Sequence, residues 1–231
     1  DNYSLSLNGN HKITSDLQIG GFYLRSQGDA DYDGYANKGT HTKFVEQVLS
    51  TNIDYRFNEQ WQSQIKISQS DDKQKNYLHQ LPTANVYYVD GKTEFNTKTT
   101  LVNWQNDIML RDSDLFTIGL DYKNDTIISS TDFTEDSRWN QAIYSQYLYY
   151  GDFFDTQVSI RRDDNEAFGY HNTWSFATGF SLDDNVRITT SYGTAFKAPT
   201  FNDLYWPADF FFKGNTDLKP EQSSSFDFGL E

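Results

Sequence analysis

The stretch LFTIGLDYK, residues 115–123, alternates between two kinds of side chain. Its even-numbered residues are Phe, Ile, Leu and Tyr, whereas its odd-numbered residues from 117 onward are Thr, Gly, Asp and Lys. Successive side chains of a β-strand point to opposite faces of a sheet, so this pattern predicts a strand with one apolar and one polar face.

The same period-2 alternation recurs along the chain, as in WQSQIKIS (61–68), TWSFATGFS (173–181) and SFDFGL (225–230). Together with turn signals, it predicts about eleven strands, each uncertain by ~2–4 residues at its ends. Their predicted positions are 3–10, 16–27, 41–56, 60–71, 97–111, 115–124, 138–150, 153–163, 169–181, 186–197 and 222–231.

The predicted connections alternate between short turns and mostly long loops. The long ones are 28–40, 72–96, 125–137 and 198–221, and the exception is the short link 164–168. Short turns on one rim and long loops on the other are typical of an outer-membrane barrel. We therefore predict an all-β fold, an antiparallel up-and-down transmembrane β-barrel; the alternative is a soluble β-sandwich or β-solenoid.

This barrel prediction has two consequences. Bacterial single-chain barrels have an even number of strands, so about eleven strands indicate part of a larger barrel. A charge near the bilayer midplane is costly, so the apolar faces should point outward to lipid. We expect Lys66, Asp121, Lys123 and Arg187 to point into the lumen.

Composition excludes several classes of function. The formal net charge of −14 argues against nucleic acid as a partner, because phosphate binding needs clustered Lys and Arg. Without cysteine there is no disulfide framework and no thiolate metal site. The four histidines lie far apart in sequence and no hydrolase motif is present, so we predict that the protein is not an enzyme.

The acidic stretch GDADYDGYANKGT, residues 28–40, begins like a calcium-binding EF-hand loop. The position that should supply a bidentate Glu is Thr40, however, and the flanking segments have strand-like compositions. It is therefore not an EF-hand. Asp29, Asp31 and Asp33 remain candidate calcium ligands on chemical grounds, and the alternative is a solvated acidic hairpin loop.

The segment 191–231 carries a family resemblance. It contains FKAP, then an L-Y pair, then GN-x-x-LKPE before the next strand, and so resembles the barrel signature of TonB-dependent outer-membrane receptors. The resemblance implies a Gram-negative outer-membrane location, contact with lipid and lipopolysaccharide, and uptake driven by TonB through a plug domain. Residues 1–231 would then be part of the barrel domain, with the plug and the remaining strands outside this chain.

Two further stretches, RRDDNEAFGYHNTWS (161–175) and VNWQND (102–107), look like the cobalamin transporters of that family. This resemblance implies cobalamin, or another metal chelate, as the transported ligand. It also implies calcium ligation by the backbone carbonyl of Tyr32 and the carboxylate of Asp33. Gly34 and Thr93 would contact the cobalamin.

The resemblance adds nothing for Asp29 and Asp31, and His41 or a neighbour stands where the family has a further calcium aspartate. Two alternatives to cobalamin uptake remain open at this point. One is a siderophore or haem receptor with the same barrel. The other is a secreted acidic adhesin or carbohydrate-binding module.

Overall fold

The structure is a computed structural model that describes residues 1–34, 37–79, 90–183, 186–208 and 212–230; within these, the side chains of 33, 34, 37–39, 78, 79 and 90 are not described. Eleven strands and one short helix make up this part of the chain: β1 Tyr3–Lys12, β2 Leu17–Gly34, β3 Asn37–Arg56, β4 Trp61–His79, β5 Asp90–Arg111, β6 Asp114–Ser129, β7 Ser137–Tyr150, β8 Phe154–Asn165, β9 Gly169–Asp183, β10 Val186–Lys197, α1 Phe201–Tyr205 and β11 Glu221–Leu230.

The strands form one antiparallel sheet in which spatial order equals chain order, from β1 to β11. Each strand pairs with its neighbours in sequence, as an up-and-down meander requires. The eleven-strand antiparallel prediction is confirmed. No helix in the described residues is long and apolar enough to span a bilayer.

The register separates the side chains onto two faces. One face, here called the outer face, carries the cross-strand row Ile65, Trp104, Leu120 and Ile143. The opposite face, the inner face, carries the adjacent row Lys66, Asn103, Asp121 and Ala142. Large apolar side chains of the outer face are exposed in ten of the eleven described strands, as expected for a surface that lipid covers. The predicted division between apolar and charged faces is confirmed, and Lys123 and Arg187 also lie on the inner face.

Hydrogen-bonded polar side chains, more than apolar packing, fill the inner face. Arg161 of β8 pairs with Asp121 at 2.5 Å and with Asp163 at 2.9 Å. Asn103 donates to Asp121 and to the hydroxyl of Tyr144. A β-sandwich would bury one apolar face of each sheet against the other, so this arrangement excludes the sandwich alternative.

Strand ends at the short turns agree with the predicted positions within two residues, and so do the start of β7 and both strand ends that flank 198–221. The ends that flank 28–40 and 72–96, and the end of β6, lie four to eight residues beyond their predicted positions. β2 continues to Gly34, β4 continues to His79, and β5 begins at Asp90, so much of the predicted loops 28–40 and 72–96 is strand. The long-loop prediction was wrong there because most side chains of these extensions are polar on both faces, with Tyr77 and Phe95 among the exceptions. Alternation therefore disappears although the backbone ladder continues. Residues 80–89 of the predicted loop lie outside the described part.

The predicted loop 198–221 contains helix α1, which the sequence reading omitted. Thr200 caps this helix: its hydroxyl accepts from the backbone N–H of Asp203, and the Asp203 carboxylate accepts from the backbone N–H of Thr200. This reciprocal pair satisfies two backbone donors at a helix start. The capping box also holds the pKa of Asp203 below its ordinary value, mainly through hydrogen bonding by the Thr200 hydroxyl.

Candidate functional site at the mouth of the barrel

An aromatic chain crosses the inner face at the rim where the long connections lie. Phe95 of β5 meets Phe133 of the β6–β7 connection edge-to-face, with ring centroids 6.1 Å apart. Phe133 meets Trp206, just after α1, at 5.6 Å, and Trp206 meets Phe212 at 6.5 Å. These four residues, here called the aromatic wall, bring together segments that are far apart in sequence. They form an apolar surface at the mouth.

Arg138 of β7 holds the β10–β11 connection against this rim. Its guanidinium lies 4.9 Å from the ring centroid of Phe201, and its Nη1 donates to the carbonyl oxygen of Pro199 at 2.9 Å. Phe201 and Leu204 of α1 are both buried. The helix therefore packs its apolar side inward, and its position is fixed by a cation–π contact and a charge-assisted hydrogen bond.

The β10–β11 connection also closes on itself. The N–H of Gly214 donates to the carbonyl of Trp206 at 2.9 Å, and the N–H of Asn215 donates to that of Asp203 at 2.8 Å. A Cβ at Gly214 would overlap the backbone of Leu204 and Trp206, so the turn needs glycine there. The segment that carries Trp206 is thus braced both internally and against β7.

Thr93 supplies a hydroxyl beside the aromatic wall. It lies two residues before Phe95 on β5, so both occupy the inner face, and its side chain is exposed. Opposite Thr93 on β4 is Asn76, whose side-chain oxygen accepts from the Thr42 hydroxyl at 2.6 Å. The mouth therefore combines an apolar wall with a row of hydrogen-bonding groups.

The predicted calcium residues lie on the neighbouring β2–β3 hairpin. The backbone carbonyl of Tyr32 accepts a hydrogen bond from the buried hydroxyl of Thr40. Gly34 pairs with Asn37 near the hairpin tip, after a register shift. Asp33 lies between Tyr32 and Gly34 in β2, and its side chain is outside the described part.

Asp29 and Asp31 share the outer face, directly opposite Lys43 and His41. Asp29 approaches the ammonium of Lys43 at 3.8 Å, and His41 stacks on Tyr77 of β4 at 4.5 Å. Among the side chains that the structure describes, no three acidic or histidine residues form a group able to hold a metal ion. The register thus separates these two aspartates from Thr93, which faces inward.

A second charged cluster stiffens the β4–β5 hairpin on its outer face. Glu94 binds Lys92 at 2.6 Å and Lys75 at 3.3 Å. Hydrogen bonds from Lys92 and then Lys75 lower the pKa of the Glu94 carboxyl, and the pKa of Lys92 is raised chiefly by the bond to Glu94. These ion pairs link the extension of β4 to that of β5.

Neither the aromatic wall nor the role of Arg138 is predicted from the sequence. The four residues of the wall are single aromatic residues in separate segments, and no regular spacing connects them. The one local signal was the aromatic content of the Pro-containing stretch LYWPADFFF, residues 204–212. Contacts across this many strands follow from the fold and not from local sequence.

Solved structures with the same architecture show how widely this fold is used. The chain matches the ferric-catecholate import receptor Fiu from E. coli K12 with a TM-score of 0.77 at 11% identity, covering 99% of this chain and 48% of that one. It matches the copper transporter OprC with a TM-score of 0.75 at 13% identity, covering 99% and 42%. At these identities the likeness shows the fold alone.

Curated relatives are nearer in sequence. The vitamin B12 transporter BtuB of Photobacterium profundum is 32% identical over 216 residues, which is 93% of this chain and 33% of that protein. BtuB of Vibrio vulnificus is 29% identical over 234 residues, covering 100% and 34%. The chain spans about a third of the length of these relatives.

The family described as "TonB dependent receptor-like, beta-barrel" matches residues 1–231, the whole chain. Its members are receptors and transporters and not enzymes, in agreement with the sequence reading. Its location in the outer membrane removes the secreted adhesin or carbohydrate-binding alternative. The chain belongs to the TonB-dependent receptor β-barrel family of Gram-negative outer membranes.

Proposed function

We propose that this chain forms part of the barrel of a receptor that takes up cobalamin or a related corrinoid. The observation that carries the proposal is the match to the vitamin B12 transporter over 93% of the chain. The mouth supports it, because a corrinoid presents a broad ring with amide side chains. The aromatic wall offers contact area to the ring, and Thr93 and Asn76 offer hydrogen bonds to amides.

The proposed receptor performs no covalent chemistry. Ligand would bind at the mouth, and TonB would supply energy from the inner membrane through a plug domain in the lumen. The inner face of this chain is polar and carries fixed charges such as the Arg161 cluster, so it suits a folded, hydrophilic domain or water and not lipid. This supports a lumen that admits a plug.

We propose calcium binding at the tip of the β2–β3 hairpin as a separate step. Tyr32 would contribute its carbonyl, which has a second lone pair besides the one that Thr40 occupies. Asp33 and Asp31 would contribute carboxylates. The Asp29 carboxylate could bind the calcium ion only by giving up its ion pair with Lys43. Oxygen ligands of this type suit calcium, which would supply charge neutralisation and order at the tip.

Binding of cyanocobalamin to the full-length receptor tests both steps. Titrations with calcium and with a chelator compare wild type with Thr93→Ala and Asp33→Asn. Thr93→Ala should weaken binding at both calcium levels, by about fivefold for one lost hydrogen bond. Asp33→Asn should reduce the calcium effect more than the calcium-free affinity, because an ordered hairpin loses less entropy on binding.

A parallel titration with ferric siderophores and haem separates the remaining ligand classes. If a ferric siderophore or haem binds and cyanocobalamin does not, the transported ligand is that compound and the corrinoid assignment is wrong. If cyanocobalamin binds equally well with and without calcium, the acidic stretch is a solvated hairpin tip and the calcium step is wrong. The Lys197→Gln variant, which breaks an exposed ion pair with Glu221 at 3.9 Å, serves as the charge control.

A further inference from the structure

Two cations of the inner face take no part in the ion pairs of the barrel wall. Arg56 ends β3 at the short-turn rim, and Lys66 lies near the middle of β4 on the same face. Both side chains are exposed, and neither has a hydrogen bond or ion pair with any described residue. The strands on both sides of β3 and of β4 belong to the sheet, so no further strand of the wall can supply a partner.

The carboxylates of the same wall do not neutralise these two cations. Asp54 lies two residues before Arg56 on the same face, and its carboxylate accepts from a side-chain amide of β4 at 2.5 Å. Glu46 and Asp72, which face each other across β3 and β4, lie six residues nearer the mouth than Lys66, about 20 Å along the strand. Arg56 and Lys66 therefore present uncompensated positive charge to the lumen.

The inner face of β6–β10 differs in this respect. Each cation that the structure describes there is bonded to another residue: Lys123 to Asp125, Arg138 to the carbonyl of Pro199, Arg161 to Asp121 and Asp163, Arg187 to Asp155, and Lys197 to Glu221. The positive charges of that wall are satisfied within the wall. Those of β3 and β4 are available to a partner inside the lumen.

A polar recess of about 350 Å³ opens beside Arg56, on the inner face at the short-turn rim. The side-chain amides of Gln18, Gln62 and Gln64 line it. An amide both donates and accepts hydrogen bonds, so this lining suits a peptide backbone. The short turns of outer-membrane barrels lie on the periplasmic side, and the recess therefore opens toward the side from which TonB acts.

We propose that the inner wall of β3 and β4 binds an acidic segment of the plug domain, with one carboxylate on Arg56 and a second on Lys66. The proposal rests on the proposed function, which places a plug in the lumen. Arg56 stands opposite Gln62, four residues before Lys66 on β4, so the two charges lie about 14 Å apart. Acidic side chains four positions apart in an extended segment share one face and have the same spacing.

Zero-length carbodiimide crosslinking of the full-length receptor, read by mass spectrometry of its peptides, tests the contact. The reagent joins a lysine amine to a carboxylate in contact with it, with loss of one water. Lys66 should be joined to an Asp or Glu of the plug. The Arg56→Lys variant should give a second crosslink, from position 56 to the same plug segment. The ion pair of Lys75 with Glu94, at 3.3 Å on the outer face, is the control for the reaction.

Hydrogen exchange measures how firmly this wall holds the plug. Lys66→Gln and Arg56→Gln should each lower the protection factors of the crosslinked segment about tenfold, because each removes a charge-assisted contact. Lys123→Gln is the matched control. Its lysine shares the inner face but is already paired with Asp125 at 2.8 Å, so the plug should keep its protection. Heat-modified gel mobility reports whether each barrel is folded.

Three results would overturn the proposal. These are crosslinks from Lys66 to carboxylates of the barrel alone, crosslinks of the plug to β6–β10 alone, and equal plug protection in Lys66→Gln, Lys123→Gln and wild type. Failure of the proposed function gives different results. A receptor for a ferric siderophore would still show the crosslinks from position 66 to the plug, whereas a barrel without a plug would show the Lys75–Glu94 crosslink and none from Lys66 to any other domain.

Discussion

The guanidinium of Arg138, on β7, lies 4.9 Å from the ring centroid of Phe201, in helix α1. The same guanidinium binds the carbonyl of Pro199. One side chain of the barrel wall thus holds the connection that carries Trp206 to the mouth. The aromatic wall depends on this contact, since Trp206 joins Phe133 to Phe212.

Arg138→Gln should loosen the β10–β11 connection without unfolding the barrel. A cation–π contact and a charge-assisted hydrogen bond together stabilise the closed position by about 1–2 kcal/mol. Amide hydrogen exchange of residues 201–206 should therefore be faster by roughly five- to thirtyfold. Lys197→Gln, at the exposed entry to the same connection, should leave these rates unchanged. Equal exchange in Arg138→Gln and wild type would show that the helix is held by its buried apolar side alone.

Arg161→Gln should destabilise the barrel through its inner face. The change leaves Asp121 and Asp163 without their cation, and Asp163 is almost fully buried. We expect a loss of about 2–3 kcal/mol, less than for a fully buried pair because Arg161 is about one-third exposed. Urea unfolding of the receptor in lipid vesicles measures it. Lys123→Gln, which breaks a more exposed ion pair with Asp125, should cost no more than about 1 kcal/mol.

Gly119→Ala should disturb a packed aromatic ring. A Cβ at this position would overlap the ring of Tyr144, whose hydroxyl accepts from Asn103 at 3.0 Å and donates to Gln105 at 3.1 Å. Displacing the ring breaks both hydrogen bonds, at a cost of about 1–3 kcal/mol. Gly9→Ala is the control, since a Cβ there meets nothing within 4 Å. The same urea measurement applies, and similar losses for the two variants would contradict the steric explanation.

The β4–β5 hairpin should open in acid because Glu94 titrates. Its pKa is lowered in the folded protein, so its ion pairs contribute stability above the ordinary pKa of about 4.3. That stability is lost as the pH falls through the folded value. Hydrogen exchange at several pH values, each rate divided into the intrinsic rate at that pH, should show lower protection factors for residues 75–77 and 92–94 below about pH 4.3. Glu94→Gln should show fast exchange already at neutral pH and little further change in acid. An identical pH profile in both proteins would assign the transition to another group.

The sequence predicted the wall of this barrel better than its mouth. Where lipid covers one face, as at Phe116 and Ile118, alternation reports the strand directly, and the positions near the short turns were correct. Beyond the apolar band, as at Asp29 and Asp31, both faces are polar. Backbone hydrogen bonds then continue the strand, but the side chains no longer alternate between apolar and polar, so the sequence does not predict the extension.

The mouth was unpredictable for a different reason. The resemblance to cobalamin transporters pointed to Thr93 as a ligand contact. The aromatic wall, in contrast, depends on which strand ends meet the β10–β11 connection. Phe133 is a single aromatic residue in a polar stretch, and nothing local distinguishes it from a solvated side chain. Arg138 likewise resembles any charged residue at a strand start until α1 is in place.

The match between strand order and chain order also sets the route by which this sheet can assemble. Each strand needs only its predecessor as a template, so contacts are local in sequence and the loop-closure entropy of each step is small. The bond from Arg138 to Pro199 joins residues 61 positions apart and cannot form until β8, β9 and β10 are in place. We therefore expect the wall of the barrel to fold first, hairpin by hairpin, and the mouth to acquire its shape last.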